Sequence, residues 1–77
     1  MSKPTRITNA IRALRFAHGE MTQAQLAERI GVTRQTVIAI EQCRYSPSLE
    51  VAFQIARVLG APLDDVFQYP HDEGETL

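Results

Sequence analysis

The run Gln23-Ala24-Gln25-Leu26-Ala27-Glu28-Arg29-Ile30-Gly31-Val32-Thr33-Arg34-Gln35-Thr36-Val37-Ile38-Ala39-Ile40-Glu41-Gln42 reads as two short helices joined by a very tight turn. Thr22 precedes it, and Thr22 to Gln25 fits the S/T-x-x-E/Q capping box, in which hydroxyl and amide side chains satisfy backbone N–H groups left free at a helix start. A helix over about 22–30 follows, with Leu26, Ala27 and Ile30 on one stripe. Gly31, which takes positive φ at no steric cost, ends it. Thr33 is then an N-cap for a second helix over about 33–42. On a wheel of this second helix Val37 and Ile40 point one way. Gln35, Ile38, Ala39 and Gln42 point the other way, with Arg34 at the edge.

Working outward, Ile7, Ile11, Leu14 and Ala17 recur at helical spacing and predict a helix from about Arg6 to His18, capped by Thr5 or Thr8 and stopped by Gly19. On the other side, Cys43 to Pro47 is a loop, and Ser48 caps a helix to about Leu59, stopped by Gly60. Leu49, Ala52, Ile55, Ala56 and Leu59 make its main apolar stripe. Val51 and Val58 lie on another side, so this helix is expected to be covered on two faces. Pro62 to Phe67 predicts a last short helix, with Pro62 in the first turn and Asp64 and Asp65 at the positive end of the dipole. No strand signal, repeat or low-complexity segment appears, so the expected class is all-α. The domain is expected over residues 6–69, between an N-terminal arm (1–5) and an acidic flexible tail (70–77).

The 77 residues, 44% of them hydrophobic, suit one domain near the lower limit for a self-supporting core. A large catalytic cleft and a second, ligand-sensing domain are therefore not expected. No apolar run approaches the roughly 20 residues of a membrane span, and no signal-peptide pattern opens the chain, so a cytoplasmic protein without membrane partners is expected. Cys43 is the single cysteine, which excludes an intrachain disulfide and a cysteine metal knuckle. His18 and His71 have no carboxylate or thiol partners at ligand spacing, and Asp64-Asp65 suits a helix start better than acid/base chemistry. With no phosphate loop, nucleophile elbow or dinucleotide fingerprint, the chain is not expected to be an enzyme or to carry a metal or cofactor.

The net charge of −1 hides an asymmetry. Up to Pro47, Lys3, Arg6, Arg12, Arg15, Arg29, Arg34 and Arg44 face only Glu20, Glu28 and Glu41. From Ser48 onward, Arg57 alone faces Glu50, Asp64, Asp65, Asp72, Glu73 and Glu75. Either one face serves a polyanion and another is kept away from it, or solvated charges cluster by chance. Helix, tight turn, helix favours the first reading. Small Ala27 lets the helices cross closely, Gly31 makes the turn, and Leu26, Ile30, Val37 and Ile40 lock the angle, as in a DNA-binding helix-turn-helix.

Three stretches carry a closer likeness: Thr22-Gln23-Ala24-Gln25-Leu26-Ala27, Gly31-Val32-Thr33-Arg34-Gln35-Thr36-Val37 and Tyr45-Ser46-Pro47-Ser48-Leu49-Glu50. In this order and spacing the chain, from Ile7 to about Phe67, resembles the XRE family of phage-repressor and Cro-like regulators. The resemblance implies a compact five-helix bundle with a lambda-repressor-like helix-turn-helix. It also implies a small transcriptional regulator that binds double-stranded operator DNA as a homodimer, the second motif helix in the major groove. No small-molecule effector is expected.

The DNA-binding set expected from the residues and the resemblance is Thr22, Gln23, Thr33, Arg34, Gln35, Thr36, Ile38 and Arg44. Gln23 resembles the family's phosphate-contacting glutamine, beside the helix N-terminus that Thr22 caps. Arg34 can fork onto guanine O6 and N7 or onto a phosphate, and Gln35 can pair with adenine N6 and N7. Thr33 suits a cap, a phosphate contact or a thymine methyl, and Thr36 a phosphate. Ile38 fits a thymine methyl or sugar, or is a tolerated surface isoleucine. Arg44 sits where the family places a basic residue on the phosphate backbone, while Tyr45 either adds a hydroxyl there or packs under the loop. Glu41 resembles a family residue that pairs with a basic residue of the first helix, here Arg15.

The chain departs from the family pattern at Cys43, commonly glycine in a left-handed conformation, and at Glu20, which looks like a one-residue insertion before the motif. For the dimer, the last helix and its flank offer Val51, Val58, Val66, Phe67 and Tyr69, all of which also suit ordinary core packing. Two alternatives share the module or the fold: an antitoxin or restriction-modification controller, and a protein-interaction module that has lost DNA binding.

Overall fold

The computed structural model describes residues 5–70. Its elements are β1 (Thr8–Asn9), α1 (Ile11–Ala17), α2 (Gln23–Ile30), α3 (Arg34–Glu41), α4 (Leu49–Leu59), α5 (Leu63–Val66) and β2 (Phe67–Gln68). The expected arm and tail, and with them His71, lie outside the described residues except for Thr5 and Pro70.

Five helices form in the expected order. Three starts are held by side-chain caps: the Thr22 hydroxyl accepts from Gln25 N, Thr33 from Thr36 N and Ser48 from Val51 N. Gly31 takes φ +74° between α2 and α3, a conformation that costs glycine little and any other residue more. Cys43 takes φ +61° after α3. There Arg44 N donates to Ala39 O and Cys43 N to Ile40 O, which is the Schellman arrangement with cysteine standing where glycine is usual. The inserted Glu20 is absorbed locally. Gly19 and Glu20 both have positive φ, and Met21 N returns to Arg15 O at 2.9 Å.

Three expectations are corrected. The first helix begins at Ile11 rather than Arg6, because Thr8–Asn9 pairs antiparallel with Phe67–Gln68 in a two-residue ladder. Neither Thr5 nor Thr8 caps it: Asn9 Oδ1 accepts from Ile11 N at 3.2 Å, and Ala10 N donates to Val66 O at 2.9 Å. Strands this short carry no alternation that a sequence pattern could reveal. The ladder also ends the last helix at Val66, so Phe67 leaves it for β2 and Pro62 is its N-cap rather than a first-turn residue. Leu49, placed by periodicity on the buried stripe of the fourth helix, is 68% exposed: around the helix it stands at the edge of that stripe, beside the exposed Phe53.

The core is one cluster. Ile11 and Met21 meet Leu26, Ala27 and Ile30 of α2, Val37 and Ile40 of α3, Ile55, Ala56 and Leu59 of α4, and Val66 of α5. Burying such side chains contributes about 1.5–3 kcal/mol each and is the main force holding the α2–α3 angle. Val51, Val58 and Phe67 pack against the same cluster, so α4 is covered on two faces as its sequence predicts. Asn9 Nδ2 donates to Ile40 O at 2.9 Å and ties the segment before α1 to the end of α3.

Candidate nucleic-acid interface

The geometry of α3 follows from which of its residues the core uses. Val37 and Ile40 are buried, which turns Arg34 and Gln35 into solvent at the first turn. Among the described residues neither of these two side chains has an intrachain hydrogen-bond or ion-pair partner. Thr33 is committed to the cap, and its hydroxyl also lies 3.0 Å from that of Thr36. Thr36 and Ile38 are half-buried, whereas Gln42 is exposed. Arg44 extends from the loop after α3, where its Nε donates to Gln42 Oε1 at 2.8 Å. Tyr45 does not pack under the loop: it is half exposed.

Behind this surface lies a buried ionic network. Arg15 is 5% exposed, and its guanidinium grips Glu41 through Nε–Oε2 at 2.7 Å and Nη2–Oε1 at 3.2 Å. Its remaining Nη1 donates to Met21 O at 2.7 Å. Glu41 therefore cancels a buried positive charge, the pairing that the family resemblance implies, and the bidentate geometry fixes the end of α3 against α1. Glu41 Oε1 also accepts from Gln23 Nε2 at 3.1 Å. The amide of Gln23 has a second N–H, and Gln23 lines an open concavity of about 950 Å³. Arg12, Phe16, Thr22, Arg34 and Gln42 line the same concavity.

The structure thus brings Thr22, Gln23 and Arg34 to one groove. Thr33, Gln35, Thr36, Ile38 and Arg44 are not among its lining residues and continue along α3 and its following loop. Sequence reasoning missed Arg12. It is exposed, lines the groove and lies over the Phe16 ring at 5.6 Å. The i, i+4 spacing of Arg12 and Phe16 was the available signal.

This arrangement, with two capped helices crossing at a glycine turn and the second exposing polar side chains at its start, is matched at the family level over residues 11–66, as helix-turn-helix. The chain belongs to this helix-turn-helix family. Its relatives support a small XRE-like regulator. An uncharacterised helix-turn-helix-type transcriptional regulator of Methanocaldococcus jannaschii is 46% identical over 65 residues, covering 84% of this chain and 97% of the relative. Another, from Methanothermobacter thermautotrophicus, is 57% identical over 53 residues, 68% of this chain and 77% of the relative. Among solved structures, a proposed DNA-binding protein from Bacteroides fragilis superposes with a TM-score of 0.70 over 80% of this chain and 98% of that one. At 22% identity that likeness speaks for the fold alone. The family is one of DNA-binding transcriptional regulators rather than enzymes. Among the described residues, no helix is long and apolar enough to cross a membrane.

Proposed function

We propose that this helix-turn-helix regulator binds a palindromic or near-palindromic operator as a homodimer and represses by occluding promoter DNA. The observation that carries the reading is the first turn of α3, where Arg34 and Gln35 stand exposed with no intrachain partner among the described residues. Arginine and glutamine are the residues whose planar ends match guanine and adenine edges in the major groove. Gln23, Thr22 and Arg44 then hold phosphates on either side, and Thr33, Thr36 and Ile38 line the remaining contact. Residues 6–69 form the binding unit, with the arm and tail as accessories. In a two-fold complex the two α3 helices enter successive major grooves about 34 Å apart.

In this reading abundance, DNA geometry or a partner protein controls binding, in the cytoplasm. Selection from random duplex DNA, followed by sizing of the complex, tests the proposal. A two-fold symmetric site occupied by two copies supports it, whereas sequence-independent weak binding overturns it.

A further inference from the structure

Among the described residues, two large apolar side chains on one side of α4 stand uncovered. Leu49 and Phe53 are 68% and 54% exposed, one turn apart, while Ala52, Ile55, Ala56 and Leu59 of the same helix are buried. Four of the five residues that sequence offered for self-association are taken. Val66 is fully buried and Val51, Val58 and Phe67 pack on the core, whereas Tyr69, 62% exposed, has the Arg6 guanidinium over its ring at 5.3 Å and lies away from α4 in sequence, beyond β2. At a helical period, Leu49, Phe53 and Arg57 follow one line along α4, with Glu50 and Gln54 beside it, and all five are exposed.

The charges on this face are arranged about its centre. Glu50 lies in the first turn and Arg57 in the last, seven residues apart and on nearly the same side. Neither has an ion-pair partner among the described residues. The helix dipole favours those signs at those ends but does not account for the exposed Leu49 and Phe53. A two-fold axis running midway between two antiparallel α4 helices, perpendicular to both and level with Phe53 and Gln54, would set Glu50 of each copy opposite Arg57 of the other. A singly charged partner surface would leave one of the two repelled; a second copy satisfies both, as an isologous contact requires.

We propose that the outer face of α4 docks the same face of a second copy of this chain, antiparallel, with Phe53 at the two-fold axis and a Glu50–Arg57 pair on each side. This rests on the dimeric reading above and supplies its interface. An 11-residue helix is about 16 Å long and offers far less than the roughly 800 Å² per partner of a standard stable interface. The free chain therefore associates weakly, and adjacent half-sites on DNA complete the assembly.

Sedimentation equilibrium of the full chain without DNA tests this, with circular dichroism to establish that each variant is folded. Wild type is compared with Glu50→Arg, Arg57→Glu and an equimolar mixture of the two variants. Each variant alone opposes like charges twice and is expected to dimerise about tenfold more weakly or worse. The mixture opposes unlike charges twice and is expected to recover the wild-type constant. Variants that associate like wild type, or a mixture that fails to recover, overturn the α4 pairing. A two-copy complex on the selected operator would in that case keep the dimeric reading intact. Wild type that stays monomeric up to about 1 mM, with one copy per operator, overturns both.

Discussion

Gln23 Nε2 donates to Glu41 Oε1 at 3.1 Å, so the side chain proposed for a DNA phosphate is tied to the buried carboxylate that Arg15 holds. One acceptor thus fixes two things at once: the end of α3 against α1, and the direction in which the Gln23 amide faces the groove. The scaffold and the contact surface share a residue.

Breaking the Arg15–Glu41 pair should be felt in stability first. Both side chains are under a tenth exposed, and removing one leaves the other buried and uncompensated, at a cost of about 3–5 kcal/mol. Glu41→Ala is therefore expected to lower the urea unfolding free energy by an amount close to the whole stability of so small a domain. A loss below about 0.5 kcal/mol, the range of ordinary surface substitutions, would contradict this account.

Gln23→Ala and Arg44→Ala separate two kinds of backbone contact. Both should weaken operator and non-operator DNA alike, because phosphates carry no sequence information. Arg44 carries charge, so its loss should also reduce the slope of log affinity against log salt by about 1, whereas loss of the neutral Gln23 should leave that slope in place. Titrations at several salt concentrations distinguish the two.

Cys43 occupies a left-handed position at φ +61°, where a residue with a Cβ is strained by about 1–2 kcal/mol relative to glycine. Glycine loses more backbone entropy on folding, which offsets part of that gain. Cys43→Gly is expected to raise the unfolding free energy by about 0.5 kcal/mol, read from the urea midpoint. A destabilised variant would show instead that the Sγ packing beside Asn9 outweighs the backbone strain.

What sequence revealed and what it hid divide by range. Thr22, Thr33 and Ser48 are legible caps because each bonds a backbone N–H three residues on. The α2–α3 packing is legible because Leu26, Ala27, Ile30, Val37 and Ile40 repeat at helical spacing. The pairing of Thr8 with Gln68 joins residues 60 positions apart through strands of two residues, too short to leave a pattern. Gln23 meets Glu41 across 18 positions only once the helices have crossed. Leu49 misled because periodicity groups it with the buried stripe although it lies at the edge of that stripe, beside the exposed Phe53. The buried Val66 likewise could not be told from a dimer contact without the fold.

The central claim is that the exposed first turn of α3 reads bases, and repeating the random-DNA selection with Arg34→Ala and with Gln35→Ala tests it most directly. Each variant should lose about 1–3 kcal/mol on the wild-type operator and relax the preference at one base position per half-site, guanine for Arg34 and adenine for Gln35. Unchanged affinity together with an unchanged selected sequence for both variants would contradict the claim.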